Sequence, residues 1–109
     1  ESISIDIIFC DDKHLSKLKM EYFNEHVLTD VLAFPIKNDT ALESEIYISY
    51  DRALANSKEF DVSLNNEIVR LIVHGLLHLL GHKDDNPESK KLMFDKQESI
   101  VESCNIKII

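Results

Sequence analysis

The chain contains few of the residues that mark unusual protein classes, with 2 cysteines, 2 prolines, 2 glycines and no tryptophan among 109 residues. Scarce proline and glycine, together with 44% apolar residues, predict a folded globular domain and argue against a disordered segment. Cys10 and Cys104 are isolated, without a Cys-x-x-Cys pair. They therefore favour a reducing, cytoplasmic compartment over a disulfide framework.

Long apolar runs and an excess of basic residues are also lacking. No apolar run approaches the length of a membrane span, and the start of the chain shows no secretory signal, so we expect no membrane association. Lysine and arginine number 12 against 20 acidic residues, which gives a net charge of −8. This charge argues against a nonspecific nucleic-acid binder, because affinity for phosphate backbones depends on basic clusters. Any nucleic-acid function would need a local basic groove, helped by a metal cation.

Apolar patterning and capping residues predict three strands and four helices. The expected strands cover residues 2–7, 29–34 (ended by Pro35) and 45–49, and a loop is expected over 37–44. The expected helices begin at Asp11 or Asp12, after Ser49, after Ser63 and at Asn86, and the last three end near Phe60, Leu80 and Cys104. The first helix carries Leu15, Leu18, Tyr22 and Phe23 on one side. These elements predict a small α/β fold, α+β in character, with one sheet and about four helices.

The most informative feature is a pair of histidines within an apolar helical segment. His74 and His78 are four residues apart, which places both imidazoles on one helix face. Apolar residues surround them on the whole circumference, the pattern of a buried helix. A buried polar group without a partner costs roughly 2–7 kcal/mol. The alternative to a shared metal ion is hydrogen bonding to backbone or water inside the core.

The residues that follow favour the metal. Gly81 lies three residues after His78 and can take the left-handed conformation that ends a helix. Asp84 lies ten residues after His74, and the whole spacing is that of the long metzincin motif. His74, His78 and Asp84 would supply three ligands and leave the fourth position to water, the open geometry of a catalytic zinc site. His82 is the alternative third ligand, or a group close to the metal or substrate. Gly75 stands where zinc proteases carry a glutamate general base.

Four segments of the chain resemble the motifs of one family, in that family's order. His74–Gly81 matches the signature of the YbeY-type endoribonucleases, which are bacterial rRNA maturation factors. The other three segments are Thr29–Pro35, Ile46–Ser49, and Met93-Phe94 through Gln97-Glu98. The resemblance extends from about Ile3 to Glu98. It implies that residues 1–109 form a single domain that lacks an N-terminal strand and helix of the full-length members.

The resemblance also implies an activity and its requirements. Members are metal-dependent endoribonucleases that act on single-stranded RNA, in 16S rRNA 3′-end maturation and ribosome quality control. The implied partners are rRNA and the small ribosomal subunit, with DNA not expected. Family members bind zinc through three histidines, at the positions of His74, His78 and Asp84 here. We expect one Zn²⁺, with Mn²⁺ or Ni²⁺ as alternatives. The aspartate shifts the preference toward harder ions such as Mn²⁺.

Two arginines and one aspartate are further candidates for the site. Arg52, near the position of a family arginine, and Arg70, one turn before His74, could neutralise charge on phosphate. The alternatives are a solvated Arg52 and a salt bridge between Arg70 and Glu67. Asp30 either faces the cleft or is a polar residue that opens a strand. Two other functions stay open: another zinc hydrolase such as a metalloprotease, and a ribosome-associated binding protein with a structural metal.

Overall fold

The computed structural model describes residues 4–24, 29–37 and 40–108. These residues form β1 (Ser4–Cys10), α1 (Asp12–Phe23), β2 (Val31–Lys37), β3 (Thr40–Ser49), α2 (Tyr50–Glu59), α3 (Leu64–Leu79) and α4 (Pro87–Ser103). The predicted class, one small sheet with four helices, is confirmed. Within the described ranges, every helix is too short or too polar to cross a membrane.

The sheet has the order β1-β3-β2, with β1 parallel and β2 antiparallel to the central strand β3. Two predictions about it are wrong. Pro35 lies inside β2 and does not end it. Because β2 is an edge strand, its outer side has no neighbouring strand, and the absence of a proline N–H is tolerated there. The loop predicted over 37–44 is strand at Lys37, which ends β2, and again from Thr40 onward, where β3 begins beside β2 and is joined by β1 from Glu43. Residues 2 and 3 of the first predicted strand, and 38 and 39 of the loop, lie outside the described residues.

Each helix begins at a residue that the sequence offered as a cap. Asp11 accepts a hydrogen bond from the His14 amide at 2.7 Å, which settles the choice between Asp11 and Asp12. The side chains of the other three caps accept amide hydrogen bonds in the same way: Ser49, Ser63 and Asn86. These caps fix where α3 and α4 start, and so fix the positions of the residues that follow.

Helix α3 lies between the sheet and α4, and its two apolar sides form the core. One side packs on the sheet in a cluster with these buried members: Val31, Ile46, Ile48, Ala53, Ile68 and Leu71. The other side packs on α4 in a second cluster: Val69, Val73, Leu77, Met93 and Val101. A third face of α3, which carries Glu67, Arg70, His74 and His78 at helical spacing, belongs to neither cluster.

The predicted burial of the two histidines is therefore wrong. His74 is only half-buried and His78 is exposed, because α3 packs on two sides and leaves this third face open to a cleft. In α1, Leu15 is fully buried, but Tyr22 and Phe23 are exposed. Phe23 lies beside the same cleft as the histidines, where the end of α1 forms part of the wall.

Candidate metal centre

The turn after α3 brings Asp84 back to the two histidines. Gly81 adopts a φ of 95°, a left-handed conformation that side chains other than glycine rarely take. Its amide donates to the His78 carbonyl at 3.0 Å, and the His82 amide donates to the Leu77 carbonyl at 3.0 Å. This pair of bonds is the Schellman arrangement that ends a helix. The predicted role of Gly81 as the helix terminator is confirmed.

Three ligand atoms meet at this turn, as the sequence predicts. The Nε2 atoms of His74 and His78 are 3.1 Å apart, and the Asp84 Oδ2 lies 3.9 Å from the first and 3.6 Å from the second. Two ligands about 2.1 Å from a tetrahedral ion would be separated by about 3.4 Å. The observed separations bracket that value, so the three side chains fit one divalent cation. Among the described residues, these three form the group of His, Cys, Asp or Glu side chains close enough to share an ion.

The group lies in a cleft of about 370 Å³ between the end of α1, the start of β2 and the third face of α3. Lys19 and Phe23 line one wall, and Asp30 lines another. Of the two alternatives left open for Asp30, the structure therefore shows the one in which it faces the cleft. A second, smaller groove of about 140 Å³ opens on the other side of His74 and Asp84.

A chain of hydrogen bonds fixes which nitrogen of His74 carries its proton. The Glu98 carboxylate can only accept, so the Gln97 Nε2 donates to it at 3.0 Å, and the Gln97 Oε1 must point to His74. That amide oxygen lies 2.7 Å from the His74 Nδ1, which is therefore the donor. The His74 Nε2 keeps its lone pair and faces Asp84 and His78. This is the arrangement in which a metal-binding histidine is held by a hydrogen bond through its other nitrogen.

Arg70 anchors this chain from the third face of α3. Its Nε and Nη2 donate to the two Glu98 oxygens at 2.9 and 3.0 Å, and its Nη1 donates to Glu67 at 3.0 Å. These contacts raise the pKa of Arg70 and hold the pKa of Glu98 below its ordinary value. Glu67 is buried, and its other oxygen accepts from Asn56 at 3.1 Å. The salt bridge between Arg70 and Glu67, left open by the sequence, is thus observed.

The same network returns to the cleft. The Asn56 amide also donates to the Asp30 Oδ2 at 3.1 Å. A continuous polar path therefore connects His74, through α4 and α2, to the carboxylate at the start of β2. Arg70 is paired with Glu67 and Glu98, and the Asn56 amide holds Asp30, so the path can keep two walls of the cleft in a fixed relation.

The pKa of His78 is lowered below its ordinary value. The partial loss of solvent around its ring at the cleft wall is the largest cause and the charge of His74 the next, while Asp84 and a backbone hydrogen bond at His82 act in the opposite direction. Lys19 contributes a smaller lowering from across the cleft. A neutral imidazole is the form that binds metal, so this environment suits a ligand.

The remaining sequence candidates lie around the group. His82 follows Gly81 in the turn and is not part of the three-residue group found in the described residues. Neither Arg52 nor Arg70 lines the cleft as far as the structure describes it. The Arg52 Nε is buried without a hydrogen-bond partner among the described residues. Direct contact of either arginine with a phosphate stays a prediction.

The sequence did not reveal Gln97 or Lys19 as parts of the site. Gln97 is separated from His74 by 23 residues, and its approach depends on how α4 packs on α3. Lys19 is one of several lysines on α1, and nothing in the spacing distinguishes it. Only the appearance of Gln97 in the last family motif gave a hint of its importance.

We expect Gln97→Ala to weaken metal binding about 10- to 100-fold, the usual cost of losing a group that orients a metal ligand. The physical reason is that His74 would lose the acceptor that holds its Nδ1 protonated. Calorimetric titration with Zn²⁺ measures the effect. Ser99→Ala on the same helix is the control, because its side chain lies outside the network. Unchanged affinity in the Gln97 variant would contradict this role.

These elements together define a small α+β protein in which three side chains that could hold a metal ion meet in an open cleft at the end of α3. Comparisons with known proteins identify the family. The family model described as Endoribonuclease YbeY matches residues 1–105, and the chain belongs to this family.

Individual relatives agree with the family match. The Endoribonuclease YbeY of Flavobacterium johnsoniae is 37% identical over 94 residues, which cover 86% of this chain and 68% of that protein. The Flavobacterium psychrophilum Endoribonuclease YbeY is 34% identical over 103 residues, covering 94% of this chain and 74% of that one. The solution structure of TM1509 from Thermotoga maritima is similar with a TM-score of 0.61 and 29% identity, covering 93% of this chain and 67% of that one.

Proposed function

We propose that this chain is a metal-dependent endoribonuclease that cuts single-stranded RNA, with Zn²⁺ as its metal. The observation that carries the proposal is the convergence of His74, His78 and Asp84 in an open cleft of a protein that belongs to the YbeY endoribonuclease family. The specific substrate we propose is the 3′ end of 16S rRNA. Ribosome quality control, contact with the small subunit and a cytoplasmic location are parts of the same proposal, and they rest on the family resemblance.

The roles of the chain's own residues follow from the geometry. A bound divalent ion would supply Lewis acidity toward a water molecule and a phosphoryl oxygen. His74 and His78 would offer their Nε2 atoms, and Asp84 its Oδ2, to hold that ion. Gln97 orients His74, and Arg70 acts through Glu98 as a positioning residue for Gln97. The predicted contacts of Arg52 and Arg70 with phosphate remain part of the proposal, since neither side chain reaches the described lining of the cleft.

The decisive experiment is to incubate metal-quantified protein with an rRNA precursor and to map the ends that appear. Cuts confined to single-stranded positions near the 3′ end, dependent on added metal, would support the proposal. Chelation and readdition of Zn²⁺ or Mn²⁺ would identify the metal that restores cleavage. RNA left intact by fully metal-loaded protein would refute the activity itself.

The choice of third ligand has its own test. We expect Asp84→Ala to weaken metal binding much more than His82→Ala, because the Asp84 Oδ2 is within 3.9 Å of both imidazole Nε2 atoms. Both residues follow the same turn, so each variant controls for disturbance of the turn by the other. Elemental analysis after gel filtration measures retained metal. Equal losses, or a larger loss for His82→Ala, would reverse the assignment.

The two alternative functions are less well supported. A metalloprotease of the zinc type needs a glutamate after the first histidine, but a Cβ at Gly75 would lie only 3.1 Å from Ile46, so this position faces the sheet and not the cleft. A structural metal would be enclosed by four protein ligands, whereas the described residues bring three together. A fluorogenic peptide library tests the first alternative, and ligand exchange at the loaded metal tests the second.

A further inference from the structure

The three candidate metal ligands, His74, His78 and Asp84, have a lysine and an exposed aromatic ring on each side of them. On one side, Lys19 and Phe23 of α1 line the large cleft together with His74, His78 and Asp84. On the other side, Lys90 and Phe94 of α4 line the smaller groove, which shares His74 and Asp84 with the cleft. The cleft and the smaller groove therefore meet at His74 and Asp84.

Both rings are exposed beside the three candidate metal ligands. Phe23 is 44% exposed and Phe94 is 56% exposed. An apolar ring held at the mouth of a polar cleft is a marker of a binding surface. On the α1 side the Lys19 Nζ lies 5.0 Å from the centre of the Phe23 ring, so charge and ring form one unit.

The bases of a single strand stack on exposed aromatic rings, while its phosphates seek positive charge. In a chain of net charge −8, a polyanion can approach only where local positive charge is concentrated. Lys19 is the only lysine or arginine that the described residues contribute to the cleft, and Lys90 holds the same place in the smaller groove.

We infer that these two lysine and phenylalanine pairs form a binding surface for single-stranded RNA, here called the track, that passes over the three candidate metal ligands. One nucleotide on each side of the bond to be cut places its base on Phe23 or Phe94 and its phosphate near Lys19 or Lys90. This inference rests on the proposed endoribonuclease function and assigns that function its substrate-holding residues. A double helix is disfavoured, since its bases are not free to stack on protein rings.

The test separates charge from stacking by measuring binding without cleavage. The probe is a short fluorescein-labelled single strand of 2′-O-methyl RNA, whose anisotropy is followed with Zn²⁺-loaded protein over a series of salt concentrations. We expect Lys19→Ala and Lys90→Ala each to reduce the slope of log affinity against log salt by about 0.7. We expect Phe23→Leu and Phe94→Leu to weaken binding about 5- to 100-fold and to leave the slope unchanged.

Matched control variants make the comparison specific to the track. Lys17→Ala on α1 and Lys96→Ala on α4 change the net charge equally, but neither side chain lines the cleft or the smaller groove. Tyr50→Leu removes an exposed ring that also lies outside both spaces. Metal content, measured for every variant, shows whether the ligand group has survived each change.

Each outcome decides one of the two proposals. Equal slopes for Lys19→Ala and Lys17→Ala, unchanged affinity in both phenylalanine variants, or no binding of the probe by the wild-type protein would overturn the track. If the wild-type protein binds the probe as expected but never cuts unmodified RNA, the track stands and the endoribonuclease proposal fails. If it cuts RNA but the track variants bind the probe like their controls, the endoribonuclease proposal stands and the track fails.

Discussion

Replacement of His78 by alanine is expected to abolish both metal binding and RNA cleavage. Of the three ligands that the described residues bring together, the variant would leave His74 and Asp84, whose ligand atoms are 3.9 Å apart, to hold the ion. Two ligands bind far more weakly than three, and in this site the lost one is the imidazole nearest to both others. Elemental analysis and cleavage of the rRNA precursor, carried out on the same preparation, measure the two effects together.

The fold itself should survive this change, which makes the result interpretable. His78 lies on the exposed face of α3 and contributes to neither core cluster. We expect the metal-free variant and the metal-free wild-type protein to unfold at similar temperatures. Added Zn²⁺ should then raise the unfolding temperature of the wild-type protein alone, because a ligand that binds only the native state stabilises it.

The control for His78→Ala is His14→Ala, which removes an exposed imidazole from α1. It should keep stoichiometric metal and full cleavage. Retention of stoichiometric metal by the His78 variant would remove this residue from the ligand set. Cleavage that continues after the metal is lost would instead show that catalysis does not depend on this site.

The features of the site that sequence could predict are those encoded within one turn or one short loop. The spacing of His74 and His78 fixes a shared helix face, and Gly81 ends the helix with a left-handed φ that returns Asp84 to that face. Local chemistry also predicted the caps and hence the starts of α3 and α4. These relations need no knowledge of how distant elements pack.

The features that escaped depend on distant packing. Gln97 reaches His74 only because α4 packs along α3, and Asp30 reaches Asn56 only because β2 and α2 meet beside the cleft. Burial was misjudged for a related reason. An apolar circumference suggests a helix enclosed on every side, but α3 is covered on two sides and presents the histidines on the third.

Strand limits were the least predictable part of the fold. Pro35 of β2 and Ser44 of β3 have low strand preference, yet they are partners in the pairing of these two strands, and that pairing decides their conformation. Ser44 illustrates the effect, since it is fully buried in the central strand although its residue type favours a loop. Tertiary pairing overrode local preference at these positions.

Replacement of Arg70 by alanine is expected to lower the free energy of unfolding by about 3–5 kcal/mol, the cost of leaving a buried charge without its partner. The uncompensated group is Glu67, which is 2% exposed and, among the residues that the structure describes, would keep only Asn56 as a side-chain partner. Urea unfolding of the metal-free protein measures the loss. Lys91→Ala is the control, because its ion pair with Asp95 is exposed and is worth about 0.5 kcal/mol or less.

Replacement of Arg70 by lysine distinguishes a positioning role of Arg70 from direct contact with the substrate. If Arg70 acts through Glu98 and Gln97, Arg70→Lys will lose stability and metal affinity together, and the cleavage rate per metal-loaded molecule will change little. If the guanidinium instead touches the phosphate, the lysine variant will bind metal normally but cleave with a raised KM or a lowered kcat. Measuring metal affinity and kinetics on one preparation separates the two cases.

A fall in pH should reduce the contribution of the ion pair between Arg70 and Glu98 to the free energy of unfolding. Arg70 lowers the pKa of Glu98 below its ordinary value of 4.5, so the native state binds a proton less readily than the unfolded chain. The stabilisation is therefore fully present above about pH 4.5 and is lost as the pH falls through the lower native pKa. The difference in free energy of unfolding between the wild-type protein and the Glu98→Gln variant should therefore become smaller as the pH falls below about 4.5. A difference that stays constant down to strong acid would mean that the Glu98 charge contributes nothing to holding α4 against α3.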